Sequence, residues 1–571
     1  MRIPRNAVRF IVCGVAALVS PLLSAAEVSA ETPAEKPNIL FISIDDLRPE
    51  IGPYGAEIAV TPNLDKLARE GVTFNRAYAQ QAICGPSRAS ALTGMRPDTL
   101  GVTHNYVKFR DQKPDVVTLP QHFINNGYNA TYVGKIFHHG DKDDDHSWNV
   151  KAATELMPEG SRAPGHYAIA ENSEVQHKNR QAMFEKYGEQ AKFGLGRGPA
   201  TEGADVPDNA YIDGYNTDLA IVTLKDLLKK SDKPIFFGFG MNKPHLPWIA
   251  PKKYWDLYDP KDIAMTTQTD APENSAAMGL HASFELRTFF DIPKDTPISP
   301  EMALTLRHAY LACISYVDAQ IGRMLDAMKT EGVLDNTVVI LWSDHGFHLG
   351  EMGIWGKATN YEIAARVPLI ISTAATRANP QNAKTDALVE LIDMYPTLSE
   401  LAGIPRPSHI EGRSLVPLLD SPDQDWSTAA YSQFPNPALR EWGAYPLRPG
   451  MRETYFKTLI VRVEEKIQQQ QKSTWDRELF EQHLMGYSMR SERYRMIAWI
   501  DTRDIGAAPL FVELYDHASD PKETRNVAEN NQPVVARLLQ QMRADLKLTA
   551  MTALTTENTA STASAEQIAK R

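Results

Sequence analysis

Asn38-Ile39-Leu40-Phe41-Ile42-Ser43-Ile44-Asp45-Asp46 decides the fold: an apolar run that reads as a buried strand, with two carboxylates directly after it. The arrangement recurs three times. Thr131-Tyr132-Val133 runs into Gly134-Lys135-Ile136-Phe137-His138-His139, Pro234-Ile235-Phe236-Phe237-Gly238-Phe239 leads to Lys243-Pro244-His245, and Thr337-Val338-Val339-Ile340-Leu341-Trp342 leads to Ser343-Asp344-His345-Gly346. Helix-like segments lie between these runs, so the alternation predicts an α/β domain with a largely parallel sheet. In open sheets of that kind the carboxyl ends of the strands form the ligand crevice, which sets the charged and imidazole side chains along one rim.

Helical periodicity is read over Asn63–Glu70, Met302–Lys329 and Ala387–Ala402, the last ending before Gly403. Beyond about Trp442 the pattern changes. Tyr455–Val463 and Tyr494–Ile500 read as strands, the glutamine-rich Glu464–Lys472 between them as a solvated loop near Gln468, and Pro533–Lys547 as a closing helix with proline in its first turn. The expected organisation is a large domain over 36–440, a smaller α+β subdomain over 441–548, and a Thr/Ala/Ser-rich, disordered tail over 549–571.

The chain has 571 residues and a net charge of −11 without a basic block, which disfavours nucleic acid as a partner and requires any anionic substrate to be held by a local cluster of cations. Residues 1–30 read as a signal peptide, with Arg2 and Arg5 before the apolar run Phe10–Leu23 and small residues at its end. No later stretch suits a membrane anchor, so an exported, periplasmic or extracellular protein is expected. Of three cysteines, Cys13 lies in the leader and Cys313 in the helix-like Tyr310–Tyr316. The remaining two do not make a disulfide scaffold. A single Cys84–Cys313 bridge stays open beside an oxidative conversion of Cys84, which fits its surroundings better.

Those surroundings are Cys84-Gly85-Pro86-Ser87-Arg88, followed by Leu92-Thr93-Gly94. Pro86 suits a first helical turn and Gly94 a stop, which puts Cys84 at a helix N-terminus where free N–H groups and the dipole favour an anion. Asp45, Asp46 and Asp344 supply hard oxygens and His345 a neutral donor, a set suited to Ca²⁺ or Mg²⁺ rather than zinc, with Ca²⁺ more tolerant of an irregular shell. Arg88, Lys135 and Lys357 offer positive charge, and His138 and His245 are candidate proton carriers. Lys243 is assigned no catalytic role.

The pattern Cys-x-Pro-Ser-Arg-x-x-x-Leu-x-Gly is the one that formylglycine-generating machinery reads in type I sulfatases, and the chain resembles that family. Ile44-Asp45-Asp46-Leu47-Arg48-Pro49, Gln80-Gln81-Ala82-Ile83-Cys84, Lys243-Pro244-His245, Ser343-Asp344-His345-Gly346 and Met485-Gly486-Tyr487-Ser488-Met489-Arg490 look like its iduronate-2-sulfatase branch, over about Lys36–Asn530. The resemblance implies the alkaline-phosphatase-like α/β fold with a smaller C-terminal subdomain. It also implies a Ca²⁺ site built from Asp45, Asp46, Asp344, His345 and the formylglycine (3-oxoalanine) formed at Cys84 by a formylglycine-generating enzyme.

A thiol is a poor sulfuryl acceptor, whereas an aldehyde hydrate offers one oxygen to attack sulfur and a second to expel the product. By position, the hydrate at 84, held by the metal and Arg88, attacks sulfur while His245 and Lys357 protonate or stabilise the leaving oxygen. His138, with Lys135 fixing the diol, then takes the proton that lets sulfate leave. The implied substrate is a sulfated glycan, with a 2-O-sulfated uronic acid as its leading unit. Departures fall at His104-Asn105-Tyr106, at Phe347 in place of a tryptophan, and at Ala358 in place of an aromatic residue, so His104, Asn105 and Phe347 are the expected sugar-lining positions. Two alternatives are a phosphonate or phosphodiester hydrolase of the same superfamily and an inactive glycan-binding homologue.

Overall fold

The computed structural model describes residues 36–138, 142–443 and 455–548. The expected leader at 1–30 and tail at 549–571 lie outside the described residues. The first sheet is built from β1 (Asn38–Ile44), β2 (Val72–Tyr78), β3 (Asn129–Gly134), β4 (Ile235–Met241), β5 (Thr337–Ser343), β6 (Arg366–Val367), β7 (Leu369–Ser372) and β8 (Ala383–Glu390). Its order is β6-β2-β7-β5-β1-β4-β3, with β8 paired to β2. The four strands read from the sequence, β5, β1, β4 and β3, are adjacent and mutually parallel. Antiparallel pairing is confined to β6 and β7.

Alternation along the strands separates two cores. Leu40, Ile42, Phe237, Phe239 and Leu341 point to one face, and Ile39, Phe41, Phe236, Ile340 and Trp342 to the other. Among the helices, α1 (Pro62–Arg69), α2 (Cys84–Thr93), α3 (Ala170–Tyr187), α4 (Ile212–Lys230), α5 (Pro300–Thr330) and α6 (Met394–Leu401) follow in chain order. Helices α1, α4 and α5 cover the first core, whereas α2 and α6 cover the second. α5 starts with Pro300 in its first turn and Ser299 accepting the Met302 N–H at 3.2 Å, as a capped helix should.

The helix expected over Ala387–Ala402 is divided. Its first residues belong to β8, where Leu388 and Val389 pair with Arg76 and Ala77 of β2, and the helix starts only at Met394. A helical spacing of apolar residues loses here to long-range pairing.

The second sheet comprises β9 (Ala429–Pro435), β10 (Leu484–Ser491), β11 (Tyr494–Asp501) and β12 (Phe511–Asp516), antiparallel and in that order. Its edge strand precedes residue 441. β9 docks on the first sheet, with Gln433 N donating to Gln80 O at 2.8 Å and Ser432 Oγ to Ala79 O at 2.6 Å. Tyr455–Val463 is not a strand. Together with the expected loop it forms α7 (Lys457–Gln471), whose buried Ile460, Glu464, Ile467 and Gln471 lie three or four apart, with Leu459 beside the first. The closing helix α8 (Gln532–Asp545) covers the other face of the sheet through Val535, Leu538 and Met542. Among the described residues no helix is long and apolar enough to cross a membrane.

Candidate active site

Register places the rim. Ile44 at the end of β1 pairs with Ser343 of β5 and Met241 of β4, so Asp45-Asp46, Asp344-His345 and the chain toward Lys243-His245 leave the sheet side by side. Gly134 and Gly240 let β3 join them. Gly134 has φ +83, and a Cβ there would lie 1.9 Å from Gly240 O, while a Cβ at Gly240 would lie 2.3 Å from Lys135 O. Only glycines permit that approach, which brings Lys135 beneath the rim.

Cys84 lies at the head of α2, 2 % exposed. Its Sγ is 3.4 Å from Asp45 Oδ1, 4.0 Å from Asp46 Oδ1, 3.3 Å from His345 Nε2 and 3.6 Å from Lys357 Nζ. Donor atoms of Asp45, Cys84, Asp344 and His345 lie within 4.8 Å of one another, and a second such group joins Asp45, Asp46, Cys84 and His245. Asp46 is held in the left-handed region, φ 63, and Ala358 beside Lys357 at φ 71. Such strain persists where the surroundings over-determine it, as at functional sites.

Cations flank the carboxylates. Lys135 Nζ pairs with Asp45 Oδ2, and Lys357 Nζ bonds both oxygens of Asp46 at 2.7 and 2.9 Å. Arg88 is fully buried and committed to the rim itself: Nε donates to Asp344 Oδ2 at 2.8 Å, Nη2 to Asp45 Oδ1 at 3.3 Å, and Nη1 to Ser43 Oγ and the carbonyls of Lys135 and Ile136. Expected to reach toward position 84, its guanidinium bonds Asp45 and Asp344, whose carboxylates border Cys84.

Burial would raise Asp45, yet Lys135 with the other cations holds its carboxyl well below the usual range. Asp46 goes the opposite way: burial pushes it well above, and Lys357 does not offset burial together with Asp45, Glu285 and Asp344. The rim's three carboxylates supply hard oxygen donors, and the neutral imidazole adds a nitrogen donor beside them. That set fits a hard divalent cation. Burial lowers His345 to about 4, which leaves it neutral as a ligand must be. Burial, then Asp45, pushes the Cys84 thiol well up, so the unmodified side chain is a poor nucleophile.

Glu285 belongs to the site and carried no sequence signal. It lies 3.4 Å from Lys357 Nζ and 3.5 Å from His245 Nε2, linking the two groups expected at the leaving oxygen. His245 Nδ1 bonds Leu246 O at 2.6 Å, and burial with Lys357 holds the ring neutral. Lys243, buried, donates to His245 O and Pro247 O at 2.6 Å each and so shapes the turn that presents His245.

Other expected positions are placed differently. Phe347 does not line a pocket. It is fully buried in the first core, with Trp248 at 5.7 Å and Tyr310 at 6.3 Å between ring centres. Asn105 Oδ1 accepts the Gly85 N–H at 2.8 Å, Pro86 has no N–H, and Ser87 N bonds Ile83 O, so the expected row of free donors at the head of α2 is largely occupied. His104, half-buried, is lowered to about 4 by burial and Arg440. His138 lies in the wall of an adjoining cavity of about 200 Å³ with Gly85, Asn105 and Phe137. Cys84 and Cys313 are both free, and Cys313 Sγ approaches Ile249 O at 3.5 Å inside α5, so no bridge joins them.

The sulfatase family profile matches residues 37–404. Iduronate 2-sulfatase of Mus musculus is 30% identical over 574 residues, covering 90% of this chain and 94% of the mouse protein. A solved structure holding its substrate D-glucosamine-2-N,6-O-disulfate aligns with TM-score 0.63 at 22% identity, covering 90% of this chain and 98% of that one. The phosphonate monoester hydrolase of Agrobacterium radiobacter aligns with TM-score 0.63 at 23% identity, covering 89% and 96%. Both likenesses support the fold alone, the alkaline-phosphatase-like α/β arrangement. With the profile match and the mouse relative, the chain belongs to the sulfatase family and is a sulfuric ester hydrolase.

Proposed function

We propose that the protein removes sulfate from a sulfated glycan, with a 2-O-sulfated uronic acid as the leading unit, at Cys84 after its conversion to formylglycine by a formylglycine-generating enzyme. The observation that carries this reading is the convergence of Asp45, Asp46, Asp344 and His345 on Cys84 at the carboxyl rim of the parallel strands. Asp45, Asp46, Asp344 and His345 would hold the divalent cation, Ca²⁺ in our reading, whose charge when bound neutralises and polarises a sulfate group. Formylglycine supplies, as its hydrate, the oxygen nucleophile that the buried thiol lacks. Arg88 and Lys135 fix the rim carboxylates around it. Lys357 and His245, joined through Glu285, face the leaving oxygen: Lys357, the protonated member of the pair, protonates it or stabilises its charge, and His245 lies beside it as a neutral ring. His138, beside Gly85, is the proton carrier on the other side.

The N-terminal leader directs export in this reading, and His104 with Asn105 borders the sugar. The similarity to iduronate 2-sulfatase supports the uronic acid assignment. Mass spectrometry of the Cys84 peptide from the native source tests the modification, and an intact thiol in active protein would end the reading. Release of sulfate from a 2-O-sulfated uronic disaccharide, measured beside hydrolysis of a phenyl phosphonate ester, tests the substrate class. Faster phosphonate cleavage would favour the superfamily alternative.

A further inference from the structure

Beside the rim lies a cavity of about 470 Å³, bordered on one side by Asp45, Lys135 and His245. That volume is in the range of small-ligand sites. Its far wall comes from the excursion between β3 and α4, which contributes His166, Arg180 and Arg197. Two features hold the backbones that carry Arg180 and Arg197 close together. Asn179 Nδ2 donates to Arg197 O at 2.7 Å, and Gly196, at φ +75, presses so closely on α3 that a Cβ there would lie 2.5 Å from Arg180 Cα.

The charge of the lining is one-sided. Lys135, Arg180, Arg197 and Lys243 line it, and among the described residues Asp45 is the one lining carboxylate. Asp45 is already paired with Lys135 and Arg88. Lys243 is buried with carbonyl partners, and among the described residues neither it nor Arg180 has an ion-pair partner. The Arg197 guanidinium lies over Phe289 at 4.9 Å and 3.5 Å from Glu285 Oε1, contacts that orient it while leaving N–H donors for a ligand. In a chain of net charge −11, this concentration of cations calls for an anion.

We propose that Arg180 and Arg197 form a second anion subsite, which takes a carboxylate or a further sulfate on the sugar bearing the scissile ester or on its neighbour. The subsite selects acidic saccharides over simple sulfate esters. It rests on the reading of the Cys84 rim as the place of sulfate ester cleavage. A bidentate guanidinium matches either anion, and both arginines lie where the substrate must extend once its ester sits against Asp45 and His245.

The test uses R180Q, R197Q, the double variant and R197K in the full chain carrying formylglycine. Three substrates separate the sources: a 2-O-sulfated uronic disaccharide supplies a carboxylate, glucosamine-2-N,6-O-disulfate supplies a second sulfate, and 4-nitrophenyl sulfate supplies neither. The expected result is a fall of about tenfold or more in the ratio of kcat/KM for an acidic saccharide to that for 4-nitrophenyl sulfate, carried mainly by KM and partly restored in R197K. The saccharide whose ratio falls identifies the anion. Unchanged ratios for both saccharides overturn the subsite. Calorimetric binding of the same saccharides to C84A, with and without R180Q and R197Q, decides independently of turnover. Affinity weakened about tenfold by the arginine changes supports the subsite, and equal affinity or no binding overturns it. Failure of the modified wild type to cleave any of the three esters counts against the proposed function instead.

Discussion

Two clusters of buried charge, the Cys84 rim and the seam between the sheets, use the same residue types to opposite ends. In the seam Arg495 is 1 % exposed and donates to Glu523 Oε1 and Ser488 Oγ at 2.6 Å each and to Glu362 Oε2. His517 Nε2 completes the Glu523 pair at 2.9 Å. Burial would raise Glu362, but Arg495 and Arg490 outweigh it and bring the carboxyl to about 2. At the rim equal burial leaves Asp46 well above the usual range. The seam is electrostatically complete and ties β10 and β11 to the first sheet. At the rim burial outweighs Lys357 at Asp46, and a buried carboxyl left in that state is what a cationic ligand can use.

The largest effect expected is at the sulfur. Cys84→Ala should abolish sulfate ester hydrolysis, a loss of about 10⁴-fold or more, because nothing else on the rim replaces the nucleophile. Its melting temperature should stay near that of the parent, since a small side chain at a helix head gives up few contacts. Steady-state assays and thermal unfolding read the two quantities, and a folded variant that retains activity would erase the contrast with the seam.

Asp46→Asn should come next, with a loss of about 10³-fold in kcat/KM as the cation and the grip on Lys357 weaken together. Elemental analysis should show metal bound to the parent and to Arg495 variants but depleted in Asp46→Asn. Chelation should lower the parent's melting temperature and leave that of Asp46→Asn nearly unchanged.

In the seam the order of consequences reverses. Arg495→Met should cost about 3 kcal/mol of stability by stranding Glu362 and Glu523 without their shared partner, while activity per folded molecule persists. Acid sharpens the point. Glu362 falls from an ordinary 4.5 to about 2, so it adds stability that is present above pH 4.5 and lost as pH drops toward 2. Glu362→Gln should flatten the stability profile in that window, as measured by denaturant unfolding.

Both regions differ in how far the sequence discloses them. Asp45, Asp46, Lys135, His245, Asp344 and His345 were legible because each follows a short apolar run, and strand ends converge once the runs pair in parallel; Cys84 and Arg88 were legible through their own motif. Glu285 stayed hidden: it stands in a stretch without periodicity, and only the fold brings it to Lys357 and His245. Phe347 was misplaced because adjacency to His345-Gly346 says nothing about direction, and its ring turns into the core against Trp248. In the C-terminal part, aromatic and β-branched residues at Tyr455–Val463 suggested a strand. The buried Ile460, Glu464, Ile467 and Gln471 show that the helical period runs on through the glutamines. Gln470 even bonds Ala277 N and Ser275 O at 2.8 Å each, a packed role that composition cannot announce.

The smallest expected effect lies where the rim borrows the logic of the seam, at Asn105. Its Oδ1 accepts the Gly85 N–H at 2.8 Å and so satisfies a donor in the first turn of α2 that no neighbouring carbonyl reaches. Asn105→Ala should cost about 1 kcal/mol, the usual worth of such a cap, and shift thermal unfolding by a few degrees at most. Asn105→Asp should keep the hydrogen bond and gain from the helix dipole. The same change adds a negative charge beside a terminus read as meeting sulfate, so kcat/KM should fall while stability holds. Equal losses of stability in the two variants would show that Asn105 only fills space at the head of α2, and would leave the orientation of Cys84 to Ile83 and Ser87.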